Sequence, residues 1–159
     1  MGAGKSTVGK VLSVMTGHKF VDLDELIEKR SNKKITDIFS NLGEEQFRKL
    51  ETESLKSVSI DKTDTVVSTG GGIVLKPVNI NIIESSGTSI YLKAGIETIW
   101  DRIKDENGRP LLDVENPYET ASDLLDSRIE LYESADIIIE TDNLTPQKIS
   151  DKIIELLFD

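Results

Sequence analysis

The 159-residue chain contains no cysteine. That absence excludes disulfides, thiolate nucleophiles and zinc sites built on cysteine. Aromatic residues make up only 5% of it, so a core has to be assembled from Ile, Leu and Val. Positive charge is scarce too: 19 Lys and Arg stand against 29 Asp and Glu, a formal net charge of −10. A field of that sign argues against non-specific binding to nucleic acid or to anionic membrane surfaces. It leaves small anionic substrates open, since a few arginines meeting in one cleft reverse the local sign. No apolar run approaches membrane-span length, and the N-terminus lacks a signal-peptide pattern. There is no repeat and no linker rich in Pro, Gly or Ser. The expectation is a single domain over residues 1–159, monomeric and cytoplasmic.

What the chain does contain is an alternation of helical and short apolar segments. Val8, Val11, Leu12 and Met15 recur at helical spacing, and Gly17 supplies a stop. Residues 36–42 are expected to form a short helix ending at Gly43. Residues 44–60 form a longer one that turns Phe47, Leu50, Leu55 and Val58 inward. Phe20-Val21, the β-branched run 65–68, residues 89–92 and Ile137-Ile138-Ile139 read as strands. Ile96, Ile99, Trp100 and Ile103 lie along a helix, and Pro146 suits the first turn of a closing helix. Short apolar strands alternating with helices predict an α/β fold with a parallel sheet covered on both faces. The interval 107–116 is polar and proline-broken, as an exposed, mobile loop would be.

The strongest local signal is Gly2-Ala3-Gly4-Lys5-Ser6-Thr7, leading directly into the first helix. Glycine backbone lets successive N–H groups converge, and a helix N-terminus adds positive potential, so phosphates bind there. Lys5 reaches the β- and γ-phosphates of ATP, and the Ser6 hydroxyl is the expected Mg²⁺ ligand, with Thr7 just behind. The full phosphate-loop pattern has a further glycine, which falls two residues before Met1. The strand that normally feeds such a loop is missing as well, so the expectation is a chain whose true start lies upstream. In a doubly wound sheet, losing that central strand leaves its two neighbours with unpaired backbone edges.

Four later features concern the acceptor. Phe20-Val21-Asp22-Leu23-Asp24 is an apolar strand running into two carboxylates, of which Asp24 could also cap the following helix. Arg48 and Glu51, three apart, share a helix face, so the carboxylate can orient the guanidinium. Ser68-Thr69-Gly70-Gly71-Gly72 follows a β-branched strand, and its glycines permit a ligand to approach the main chain. Asn107-Gly108-Arg109-Pro110-Leu111-Leu112 occupies the polar loop, with Arg128 and Tyr132 on a later helix.

Taken in this order, these motifs resemble the shikimate kinase family over essentially the whole chain. The resemblance implies a P-loop NTPase-type three-layer sandwich of five parallel strands, the first absent here, with a mobile lid at about residues 105–117. It implies phosphorylation of shikimate by ATP with Mg²⁺, in the route to aromatic amino acids. By the same resemblance Asp22 supports the metal shell beside Ser6, and Asp24 positions the acceptor hydroxyl within an acceptor region of about residues 23–52. Arg48 and Arg128 hold the substrate carboxylate, and Gly70, Gly71 and Gly72 form the acceptor-binding turn, with Gly71 the amide donor. Arg109 stabilises the transferring phosphoryl group, while Arg102 and Pro146 flank the adenine. Two rivals stand beside this reading: a gluconate kinase-like enzyme for another small acceptor, and a nucleotide-binding homologue without turnover.

Overall fold

The structure, a computed structural model, describes residues 2–61, 63–105 and 109–158. Asn107 and Gly108 of the expected lid lie outside those residues. In chain order the described elements are α1 (Lys5–Thr16), β1 (Lys19–Asp22), α2 (Leu23–Ser31), α3 (Ile35–Ile60) and β2 (Thr65–Ser68). They continue with α4 (Pro77–Ser86), β3 (Ile90–Lys93), α5 (Ile96–Ile103), α6 (Pro117–Asp126), α7 (Ile129–Glu133), β4 (Ile137–Glu140) and α8 (Pro146–Phe158). Single 3₁₀ turns at Ile73–Leu75 and Pro110–Leu112 precede α4 and α6.

Local chemistry accounts for most boundaries. Gly17 takes the left-handed conformation (φ 72°) that ends α1. Asp22, rather than Asp24, caps α2, with its Oδ1 accepting the N–H of Asp24 at 3.0 Å and of Glu25 at 3.4 Å. The expected cap thus moves back two residues, because the strand hands over to the helix with no intervening turn, and Asp24 is left in the first turn with its side chain uncommitted. Residues 35–60 form one long helix broken at Gly43 (φ 79°, ψ 167°), so the predicted stop is a kink between two helical arms. Met15 does not join the core: it is 38% exposed, and its sulfur accepts the Gln147 amide of α8.

All pairing is parallel, β1 with β2 and β3 with β4. On one side α1 and α8 share a core with the second pair, through Val8, Leu12, Leu92, Ile139, Ile149 and Ile153. Near the first pair, Leu23, Leu55 and Ile73 form another cluster with Val21 and Val67. Each such buried aliphatic side chain contributes about 1.5–3 kcal/mol. The result is helices on both faces of a parallel sheet, as the strand–helix alternation predicts.

The sheet is not continuous, however. Among the described residues β2 pairs only with β1, and β3 only with β4. Between β2 and β3 lies a slot of about 990 Å³, lined by Val66 and Val67 on one wall and Ile90 and Leu92 on the other. Among the described residues the facing edges of β2 and β3 are thus unpaired. α1 holds the halves together by packing on both β2 and α8.

Candidate active site

The phosphate loop sits where β1 and β2 end. Gly2 and Gly4 adopt φ of 64° and 84°, a left-handed backbone that side chains resist. At Gly2 a Cβ would also lie 2.8 Å from the Ile103 side chain of α5. The loop is therefore strapped against α5, and Arg102 of that helix donates to the Gly2 carbonyl at 3.2 Å. Arg102 is exposed but not idle.

Three oxygens converge beside Lys5. The Ser6 hydroxyl donates to Asp22 Oδ2 at 2.5 Å and lies 3.2 Å from the Ser68 hydroxyl. Asp22 thereby has two duties, one oxygen capping α2 and the other facing Ser6. A hydroxyl–carboxylate set of hard oxygen donors next to a phosphate cradle fits Mg²⁺, which takes few protein ligands and completes its shell with phosphate and water. Burial lowers the Lys5 pKa, Asp24 and Asp22 oppose that shift, and Arg109 reinforces it. Arg109 is therefore near enough for its charge to bear on Lys5.

The residues expected to bind the acceptor come together from four segments. Arg48 and Glu51 of α3 are both buried, 7% and 0% exposed, and are joined by a 2.9 Å bond from Nη1 to Oε2. Glu44 grips the other side of the same guanidinium, accepting from Nε at 3.2 Å and Nη2 at 3.0 Å. Burial alone works against the charged form of Arg48, but the two carboxylates outweigh it and its pKa rises. Burial raises the Glu51 pKa, against the pull of Arg48 and, more weakly, Arg128. Arg128, 8% exposed, therefore faces the same cluster. It caps α7 from just outside rather than riding within a helix, because the chain breaks between α6 and α7 at residues 127–128.

The glycine turn closes over these groups, and close contact explains the residue type. A Cβ on Gly72 would stand 2.3–2.4 Å from the Arg48 guanidinium. One on Gly70 would stand 2.9 Å from Glu51 Oε1 and 3.3 Å from Asp24 Oδ1. Those two carboxylate oxygens are buried without a hydrogen-bond partner among the described residues, a costly state that a ligand donor would relieve.

Asp24 joins the two halves of the site. Burial and the Asp22 charge raise its pKa, while Lys5 on the phosphate side and Arg48 on the acceptor side pull it down. One carboxylate thus feels the cation of each subsite.

The residues expected from the sequence mostly meet. Lys5, Ser6, Asp22 and Arg109 gather at the phosphate end, and Asp24, Arg48, Gly70, Gly72 and Arg128 at the other. Pro146 opens α8, and the loop before it is tied to the start of α5 through Asp142, which accepts the Gly95 N–H at 3.1 Å. No described contact joins Pro146 to Arg102. Sequence reasoning missed Glu44, although its place four residues before Arg48 is a readable signal. It also gave Tyr132 no role; the Tyr132 hydroxyl donates to the Gly71 carbonyl across 61 positions, and nothing local announces that.

The chain is similar to known proteins over nearly its whole length. The family model described as shikimate kinase matches residues 1–158. A shikimate kinase of Thermodesulfovibrio yellowstonii is 43% identical over 98% of this chain and 89% of that protein. One from Dictyoglomus turgidum is 42% identical over 100% and 94%. Among solved structures, the shikimate kinase of Acinetobacter baumannii in complex with shikimate superposes with a TM-score of 0.95 at 37% identity, covering 99% of this chain and 88% of that one. The enzyme from Aquifex aeolicus gives 0.86 at 36% identity, covering 99% and 91%.

Proposed function

The chain belongs to the shikimate kinase family, and from that premise we propose how its residues transfer the γ-phosphoryl group of ATP to a hydroxyl of shikimate. The observation that carries the reading is Asp24, within electrostatic reach of both Lys5 and Arg48. A hydroxyl held at Asp24 lies between the phosphate cradle and a pair of buried arginines. That is the layout needed to phosphorylate a hydroxylated carboxylic acid.

Residues 2–7 wrap the β- and γ-phosphates, and Lys5 supplies the cation against them. Ser6 and Asp22 would hold Mg²⁺, which would supply positive charge against the phosphate oxygens. Arg48 and Arg128 bind the substrate carboxylate, the first held rigid between Glu44 and Glu51, because a planar guanidinium fork matches a carboxylate. Gly70, Gly71 and Gly72 present main chain to the acceptor ring. The acceptor oxygen attacks the γ-phosphorus, the bond to the β–γ bridging oxygen breaks, and the hydroxyl proton passes to Asp24. Arg109 meets the charge on the transferring group. It belongs to the segment 105–117 that we assign as the lid, while Arg102 and Pro146 flank the adenine. We place the enzyme in the cytoplasm as a monomer, supported by its cysteine-free composition and its net charge of −10.

The test is ADP formation with different acceptors. The reading expects ADP with shikimate but not with gluconate or a nucleoside monophosphate. ADP release indifferent to the acceptor would overturn it.

A further inference from the structure

Tyr132 is bonded to the centre of the glycine turn. Its hydroxyl donates to the Gly71 carbonyl at 2.5 Å, the short end of the range for an O–H···O bond. Its ring stacks on Tyr91 of β3, with centroids 5.2 Å apart and planes inclined by 29°. The phenol is therefore held at both ends, by a ring contact to the sheet and a hydrogen bond to the turn.

Two consequences follow from elementary geometry. In a planar trans peptide the carbonyl of one residue and the N–H of the next point in opposite directions. Fixing the Gly71 carbonyl toward Tyr132 therefore fixes the Gly72 N–H away from it. Three successive glycines offer little intrinsic resistance to peptide rotation, so this bond selects one orientation among several. The second consequence concerns Arg128. α7 is only five residues long, too short to hold its position by helix propensity alone. The Tyr132 N–H donates to the Arg128 carbonyl at 3.0 Å, so the tyrosine and the buried arginine are one helical turn apart on the same short element. Anchoring Tyr132 to Gly71 anchors Arg128 as well.

We propose that Tyr132 is a positioning residue for the acceptor, its hydroxyl setting the Gly71–Gly72 peptide and the α7 turn that carries Arg128 in one registered unit. This rests on the shikimate kinase reading for its substrate, but the geometric claim can be examined without turnover.

Tyr132→Phe keeps the ring and its stacking and removes only the donor. Expected is a rise of about 5–20-fold in KM for shikimate, with KM for ATP within about twofold of the parent. In the ligand-free protein the amide resonances of Gly71 and Gly72 should shift. Tyr91→Phe, which leaves the Tyr132 donor in place, should change neither KM. An unchanged KM for shikimate with unmoved glycine resonances would overturn the proposal. So would equal rises in both KM values, the mark of a merely structural residue. Should Tyr132→Phe fail to fold, a fluorinated tyrosine at 132 whose phenol ionises near neutral pH replaces it. Its KM for shikimate should climb with pH as the donor is lost while KM for ATP stays level, and a flat profile refutes the role. A parent protein inactive with shikimate, but with glycine resonances that respond to Tyr132→Phe, would refute the substrate reading and leave the positioning role standing.

Discussion

The phosphate end of the site draws its core from one unbroken stretch, residues 2–7, whereas the acceptor end gathers Asp24, Arg48, Glu51, the glycine turn and Arg128 from four separate segments. The first is made largely of backbone and of groups that meet solvent, Ser6 and Thr7 being exposed. The second is made of charged side chains nine-tenths or more buried, with Asp24 at its edge. A backbone cradle depends on local conformation and tolerates surface change around it. A buried ionic cluster depends on every partner, since removing one leaves another charge without compensation. The phosphate end should therefore fail by losing chemistry, and the acceptor end by losing recognition.

The largest expected effect lies at the phosphate end. Lys5→Met removes the one lysine in the cradle, and kcat should fall by at least about 10²–10³-fold while the fold persists. A steady-state ADP assay with a circular dichroism melt checks both halves of that statement. If shikimate KM rose instead with kcat intact, the division between the two ends would be wrong.

Asp24→Asn, at the junction, should lower kcat by about 10²–10⁴-fold and raise thermal stability. The sign follows from its carboxyl, which burial and Asp22 hold above the ordinary 3.8. The folded state then binds the proton more tightly than the unfolded chain. Stability from this group is full below pH 3.8 and is lost as pH rises through the raised value, so at neutral pH the ionised carboxylate is a burden. Each kcal/mol recovered is worth about 2–4 °C in Tm for a chain of this size. A lower Tm for the variant at neutral pH would contradict the assignment.

Arg48→Lys sharpens the comparison from the acceptor side. A lysine cannot bond Glu44, Glu51 and a substrate carboxylate with one planar fork. The KM for shikimate should rise by about 10–100-fold with little change in KM for ATP, and equal losses would dissolve the distinction. The smallest effect is expected at Arg102, exposed and joined to the loop through the Gly2 carbonyl alone among its described bonds. Arg102→Ala should raise KM for ATP by no more than about fivefold and leave shikimate KM unchanged. Initial rates at varied ATP and at varied shikimate check the two halves of that expectation.

Legibility in the sequence follows the same divide. The glycines, Lys5 and Ser6 were readable because phosphate binding needs a short run of specific residues at the head of a helix. Strands such as 65–68 and the break at Gly43 were readable from β-branching and from glycine. The caps were less so: Asp22 and Asp24 are two residues apart, and only the abrupt passage from β1 to α2 chooses between them. Met15 fits a helical stripe by spacing, but α8 meets α1 at a rim and leaves its thioether half out. At the acceptor end, Arg48 with Glu51 is by itself an ordinary helix-surface pair. What makes it a site is burial under Gly70 and Gly72, a property of neither helix nor turn alone.

The sequence by itself determined the alternation of strands and helices, the phosphate-binding head of α1 and the sign of the molecule's charge. Each of these depends on neighbours a few residues away or on composition summed over the chain. Tertiary structure alone decided that Asp24 stands between Lys5 and Arg48, that Gly70 and Gly72 close over Glu51 and Arg48, and that Tyr132 reaches Gly71. Contacts across tens of residues depend on how packed helices place their side chains in space, and no local pattern encodes that distance.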